Sequence, residues 1–374
     1  MPDAPLPPPA PRPKAAALPM PVFALAALTP VPLICLGALL GGLWLWAAFL
    51  YMALLSALLD QLIPHVAGEA EEGQEFPGAD LLLAGLALSA LTLLPGVTWA
   101  ITRPSDLSSA QKILLVIATG LWLGQVGHPA AHELIHRSQR LLFRLGRAFY
   151  TAILFGQHVS AHRLVHHRNV ASDLDPNTAR EGESFYHFAP RAWAGSWRMG
   201  WRAEDALRAR AQKRPGLHPY ALYIGGGALC LSLAFAIGGL YGVLIWILLG
   251  LYAQIQVLVS DYVQHYGLKR ALLENGRLEP VGPRHSWNTA HWASSALMLN
   301  APRHSDHHSH PSRPYPALRL PGADEAPRLP WPLPIACSLA FLPGPWRRAM
   351  RPHLRRWKAE APPQPEAAPQ IGQA

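Results

Sequence analysis

Charge is scarce in this chain. Asp, Glu, Lys and Arg make up 15% of its 374 residues, while half of the residues are hydrophobic. Soluble domains carry roughly 25% charged residues, so the balance argues against an ordinary water-soluble globule. Cysteine is scarcer still. Cys35, Cys230 and Cys337 are the whole set, and none pair as C-x-x-C. A disulfide framework, a zinc ribbon and a built-in iron–sulfur or rubredoxin-type centre therefore have no basis in the sequence. No G-x-G-x-x-G follows a strand-like run, so a dinucleotide-binding domain has none either. If the protein uses electrons, a separate protein must bring them. The shortage of acidic residues leaves a net charge of +9. Many Arg, few Lys and abundant Trp and Leu suit loops against an anionic leaflet better than a nucleic-acid partner.

Long apolar runs are what the chain has instead. Residues 20–63 are almost wholly apolar, about twice the roughly 20 residues that one span needs. Gly37, Gly41 and Gly42 punctuate the middle, which predicts helices near 21–40 and 43–63. Further spans are predicted near 80–102 and 110–131, joined by a tight turn over 103–109. A second apolar block, broken at Gly238-Gly239, predicts spans near 218–237 and 240–262. Residues 148–157 and 333–343 are apolar but too short to span, and read as buried or interfacial. The expected class is all-α, a six-helix transmembrane bundle with a His-rich helical cap. The expected organisation is a Pro/Ala-rich tail over 1–20, a membrane domain over 21–345, and a tail over 346–374 without regular structure. Arg137, Arg140, Arg144, Arg147, Arg163 and Arg168 follow the fourth span, and Arg347, Arg348, Arg351, Arg355 and Arg356 lie near the C-terminus. By the positive-inside rule both termini and the His-rich cap then face the cytoplasm of a bacterial-type inner membrane.

Histidine is the anomaly, with 18 residues, half of them clustered. His132 and His136 stand four apart in His-Glu-Leu-Ile-His, a spacing that shares one helix face. His162, His166 and His167 repeat the pair with an adjacent third imidazole. His304, His307 and His308 form a third cluster, and His265 closes the last apolar run. Nine imidazoles are too many for one metal ion and suit two. Ligand type alone does not choose among zinc, copper, iron and nickel. Read alone, the first cluster is a zinc-peptidase signature with Glu133 as general base, but such an enzyme needs one more ligand, not seven. A metal-binding or transport protein without catalysis is the other alternative. His128, His158, His285, His291 and His310 lie beside the clusters and suit supporting roles. His65, His187, His218 and His353 are expected to have no metal role.

These clusters resemble the membrane fatty-acid desaturase and hydroxylase superfamily. Finer matches resemble its alkane 1-monooxygenase branch: HELIHR over 132–137, HRLVHHRN over 162–169, HYGL over 265–268, SWN over 286–288 and RHSDHH over 303–308. The similarity runs over about residues 20–345. It implies a cytoplasmic di-iron site without a bound organic cofactor. It further implies terminal hydroxylation of alkanes drawn from the bilayer, using O2 and electrons from a rubredoxin and its NAD(P)H-dependent reductase. The family's iron ligands fall on His132, His136, His162, His166, His167, His265, His304, His307 and His308. The family usually has an acidic residue before the histidines at 162 and 265; here Ala161 and Gln264 stand there. Desaturation, or hydroxylation of a fatty acyl, aromatic methyl or terpenoid group, stays open as a sibling chemistry.

Carboxylates can orient metal-bound imidazoles through the far ring nitrogen. Glu133, Asp173, Asp175, Glu183, Asp261 and Asp306 are candidates, as is Asp60 at the end of the second span. Met52, Ser56 and Asp60 recur every four residues, so they share a face of that span. With Asp60 at the metal end, Met52 lies about 12 Å deeper. In alkane hydroxylases a bulky residue at the corresponding place floors the substrate tunnel, which makes Met52 the candidate here.

Overall fold

The computed structural model describes residues 16–63, 65–211 and 216–359. Most of the N-terminal tail expected over 1–20, and the Pro/Ala-rich end of the C-terminal one, lie outside the described residues. Among those residues the chain is helical, with isolated bridges such as Val66 with His291 in place of strands.

Five helices are long and apolar enough to cross a membrane: α1 (Met20–Leu40), α2 (Gly42–Leu62), α3 (Ala79–Thr102), α4 (Ser109–Ile135) and, later, Pro219–His265. Between them come α5 (Arg140–Ala152), α6 (157–169) and α7 (Phe185–Arg210). Pro219–His265 is α8, and at 47 residues a straight helix would be about 70 Å long, over twice the hydrocarbon thickness. It breaks at Gly238-Gly239, where Gly239 takes φ 61° and ψ −149°. Gly41, between α1 and α2, takes nearly the same angles, φ 63° and ψ −145°. Only glycine enters that region without steric cost, so both apolar blocks fold as hairpins at their glycines. The limbs 219–237 and 240–265 correspond to the two spans expected there.

Two helix ends carry histidines. Helix α4 runs on past residue 131 to Ile135, and α8 past 262 to His265, so His132 and His265 ride on the ends of spanning helices. Glycines also let α4 press against α8. A Cβ on Gly120 would lie 1.9 Å from the Tyr252 ring, and one on Gly124 2.3 Å from Gln256, the small-residue contact typical of membrane helices.

Short helices complete the His-rich end: α9 (Trp292–Leu297), α10 (His304–Ser309), α11 (Leu333–Ala340) and α12 (Pro343–Ala359). The last of these corrects the expectation of an irregular tail from 346. Trp346, Met350, Leu354 and Trp357 form a buried stripe, while Arg347, Arg348, Arg351, Arg355 and Arg356 are exposed. Trp346 packs edge-on to Tyr266, ring centroids 5.3 Å apart, one residue beyond His265. The arginines set the composition, but the apolar positions at i, i+4, i+8 and i+11 set the structure.

Candidate metal centre and cavity

All nine clustered histidines meet at one end of the bundle, in two groups. His132, His136, His162, His167 and His307 form one; His166, His265, His304 and His308 form the other. Within each group the offered ligand atoms lie within 4.8 Å of one another. The Nε2 atoms of His136 and His162 are 3.1 Å apart, those of His162 and His167 2.9 Å, and those of His167 and His307 3.2 Å. In the second group His304 Nε2 lies 3.1 Å from both His265 Nε2 and His308 Nε2.

The partition differs from the one the spacing suggests. His162 and His166, four apart, do not face the same group. Residues 162–166 form a π-helical turn, whose wider winding aligns residues five apart. His162 therefore pairs with His167, and His166 turns to the other group. The third cluster is also divided, His307 to the first group and His304 with His308 to the second.

The donor set fits metal ions. A metal–imidazole bond of about 2.1 Å places ligand nitrogens at right angles about 3.0 Å apart, which is the spacing seen. His132 Nε2 and His166 Nε2 are buried without a protein partner among the described residues. Burial, then repulsion within the cluster, holds His162, His167, His304, His307 and His308 well below the ordinary histidine range. Burial, then Arg163 and Arg137, bring His136 down to about 3. Neutral imidazole is the form a metal takes.

Among the candidate carboxylates, Asp175 touches a clustered histidine directly. Its Oδ2 lies 2.8 Å from His166 Nδ1 and accepts from Thr178 Oγ1 at 2.7 Å, while Oδ1 accepts from the Asn177 backbone N–H. His166 is raised: burial pushes it down, but the Asp175 carboxylate outweighs that. Asp175 is lowered, burial being outweighed by His166 and Thr178. Asp261 stands one step behind, accepting from Asn177 Nδ2 at 2.6 Å. Glu133 Oε1 is 3.8 Å from His307 Nδ1, and its other oxygen accepts from the Tyr315 backbone N–H at 3.1 Å.

Four candidates hold backbone or surface instead. Asp60 accepts from the Ala293 and Ser294 N–H groups at 2.7 and 3.1 Å, capping the start of α9. Asp173 makes an exposed ion pair with Lys269. Glu183 grips Arg191 at 2.7 Å. Asp306 sits within the third cluster but points away, to His310, Arg313 and the Arg319 N–H. Sequence spacing brings a carboxylate near a histidine without saying which way it faces.

Helix α10 is fixed from two sides. The Asn288 side chain donates to Ser305 Oγ at 2.7 Å and accepts from its N–H at 3.0 Å. Buried Arg303 donates to the carbonyls of Leu318, Ala67 and Gly68. Gln264 donates to the Ala301 carbonyl at 3.2 Å, so that departure from the family pattern ties α8 to the approach of α10. At Ala161, a Cβ on Gly200 would come within 3.1 Å of the backbone nitrogen, leaving α7 close against the chain.

A cavity of about 560 Å³ runs from His132, His162 and His304 into the bundle, within the usual range for small-molecule sites. Its back wall is α4 with Ile117, Leu121 and Gln125. Phe49, Ala53 and Ala57 of α2, Tyr252, Gln256 and Ser260 of α8, and Ile335 and Cys337 of α11 also line it. Met52 is not in this lining. It is 1% exposed and packs in the core, because the shared face of Met52, Ser56 and Asp60 turns towards α9 and the lining residues lie one position on. The three π-helical turns among the described residues, Tyr51–Leu55, Leu123–Gly127 and His162–His166, all carry cavity residues, in keeping with the frequent placement of such turns at functional sites.

Two histidine groups, each contributing to the lining of a largely apolar chamber among long apolar helices, define a membrane metalloenzyme for a lipophilic molecule. The family described as "Fatty acid desaturase" matches residues 109–334, and the chain belongs to that family. Within it, the relatives place the chain in the alkane hydroxylase branch, and it is an oxygenase. Alkane 1-monooxygenase 2 of Pseudomonas aeruginosa is 29% identical over 84% of this chain and 85% of its own length. Alkane 1-monooxygenase 1 of the same organism is 30% identical over 84% of each. The xylene/toluene monooxygenase hydroxylase component of Pseudomonas putida is 28% identical over 88% of each.

Proposed function

We propose that this protein hydroxylates the terminal methyl group of alkanes with O2, each histidine group holding one iron ion. The observation that carries the reading is that His132 and His162 of one group and His304 of the other line a largely apolar cavity lying among the long apolar helices. An unactivated C–H bond gives acid, base or nucleophile nothing to grip. Bound iron would supply the redox chemistry that activates O2 for hydrogen abstraction. The protein's part is to hold and orient. His132, His136, His162, His167 and His307 would cradle one ion, and His166, His265, His304 and His308 the other. Asp175 fixes the His166 ring through Nδ1, and α2, α4 and α8 present the chain end-on.

Electrons would come from a rubredoxin and its NAD(P)H-dependent reductase, docking on the cytoplasmic side with the arginines of α5 and α12. The similarity to a xylene/toluene oxygenase supports a second reading, hydroxylation of an aromatic methyl group. A zinc peptidase is disfavoured, because Glu133 is engaged by Tyr315 and Arg137. The test is metal analysis with product analysis: two irons per chain, and 1-alkanols from cells fed octane or hexadecane. His136→Ala, His166→Ala, His265→Ala and His307→Ala should abolish turnover and lower iron, whereas His65→Ala and His353→Ala should do neither. Zinc without iron in the purified protein would refute the reading; benzylic alcohols from toluene without alkanols would favour the second.

A further inference from the structure

Two histidines of the metal end stand outside both groups, and a tyrosine joins them. His128 lies four residues before His132, and His158 four before His162, so each sits one helical turn from a clustered imidazole. Their rings follow that order. His128 is edge-on to His132 at a centroid distance of 5.8 Å, and His158 stacks on His162 at 5.1 Å. Tyr150 of α5 touches both, 5.9 Å from the His128 ring and 4.8 Å from the His158 ring. This tyrosine is wholly buried, with 0% exposure, and is not part of the cavity lining. Its hydroxyl lies 2.8 Å from His128 Nδ1, its one hydrogen bond among the described residues. A buried O–H needs an acceptor, so the hydroxyl donates, and His128 carries its own proton on Nε2.

A phenol is easily oxidised only where its proton can leave with the electron. What sets the buried tyrosines apart is therefore what their hydroxyls face. Tyr220 and Tyr262 donate to the carbonyls of Trp197 and Glu183, and Tyr315 to Met20 Sδ; none of these holds a proton. An imidazole nitrogen does. An oxidised phenol is a far stronger acid than an imidazolium, so even a buried imidazole takes its proton. We propose that Tyr150, paired with His128, is a redox-active side chain that gives one electron to the metal site when activated oxygen finds no substrate. The oxidant is a one-electron oxidising equivalent at the iron of the first group, generated from O2 or a peroxide. The Tyr150 Oη–H bond breaks. The electron passes to the metal through the ring contacts with His132 and His162, and the proton moves to His128 Nδ1. A neutral phenoxyl and an imidazolium remain, and the metal site has lost one oxidising equivalent. One electron from the carrier, with return of the proton, restores the phenol. The pair thereby removes an oxidising equivalent that would otherwise stay beside His132 and His162. This rests on the oxygen-activating metal site proposed above.

The experiment is electron paramagnetic resonance on the full-length, iron-loaded protein in nanodiscs, freeze-quenched after addition of hydrogen peroxide without alkane or electron donor. Wild type should show a tyrosyl signal that narrows when the protein is made with ring-deuterated tyrosine. Tyr150→Phe, which removes one oxygen atom, should lose it. His128→Gln, whose amide accepts the hydrogen bond but not the proton, should lose it too, and stands in if Tyr150→Phe fails to load iron. Octane present before the peroxide should weaken the wild-type signal; an equal signal with octane would overturn the link to missing substrate. No tyrosyl signal in a preparation that makes 1-octanol from octane would overturn the proposal, as would a signal that persists in the variants. A signal dependent on Tyr150 in a protein that makes no alkanol would refute the proposed function and leave the tyrosine's role standing. Neither signal nor alkanol would overturn both.

Discussion

Chain-length selection should be governed by Ala53 and not by its neighbour Met52. Along α2, Gln61, Ala57, Ala53 and Phe49 line the cavity from the metal end inwards, each about 6 Å beyond the last at 1.5 Å per residue. Ala53→Trp would place an indole across the chamber about 12 Å below Gln61. Each methylene refused burial forfeits about 0.8 kcal/mol. Excluding four of them should shift relative kcat/KM between long and short alkanes by about 3 kcal/mol, roughly a hundredfold. Met52 faces the core, so Met52→Ala should leave the length profile alone and cost stability instead, on the order of 2–5 kcal/mol. The assay is competition among octane, dodecane and hexadecane in one reaction, with products quantified by chain length and unfolding followed in parallel. A shifted profile in Met52→Ala with none in Ala53→Trp would refute the assignment of faces on α2.

Asp175→Asn should keep the fold but lower metal occupancy or activity by about 10- to 100-fold, because the His166 ring loses its anionic partner; unchanged iron content and turnover would remove Asp175 from the site. Trp346→Ala should destabilise the protein by about 3–5 kcal/mol, read as a lower unfolding temperature in detergent, and wild-type stability would mean that α12 is dispensable. Turnover with a rubredoxin should fall steeply with ionic strength, since association of an acidic carrier with exposed arginines is steered by charge; a flat salt profile, or activity with NADH alone, would contradict that docking.

Much of this architecture is written in patterns that need no tertiary information. Apolar run lengths and paired glycines mark out where the long apolar helices lie, because bilayer thickness is an external ruler. Histidine spacing gave the nine residues that converge. It did not give their partition, since a 3.6-residue period assigns His162 and His166 to one face and the π-helical turn does not. The same limit applies to α2, where a one-residue change of face separates Met52 from Ala53. Of the candidate carboxylates, Asp175 and Glu133 lie beside clustered histidines, and Asp261 stands behind Asp175 through Asn177. Asp60 and Asp306 also sit at metal-end positions, and what directs them elsewhere, the N–H groups of α9 and the 310–319 segment, is remote in sequence. Gln125 carried no sequence signal, being one polar residue in an apolar run.

The division of ligands between the two groups sets an order of assembly. On the proposed assignment, four of the five residues in the first group precede residue 168, and the fifth is His307. The second group has only His166 from that half and waits for His265, His304 and His308. A ribosome adding 5–20 residues per second needs roughly 7–28 s to travel the 308 − 167 = 141 residues between them. During that interval the chain made so far would hold four residues of the first group and one of the second. On that assignment four of the first ion's five ligands would be in the chain before the α8 hairpin is made, whereas three of the second ion's four would come at its end or beyond.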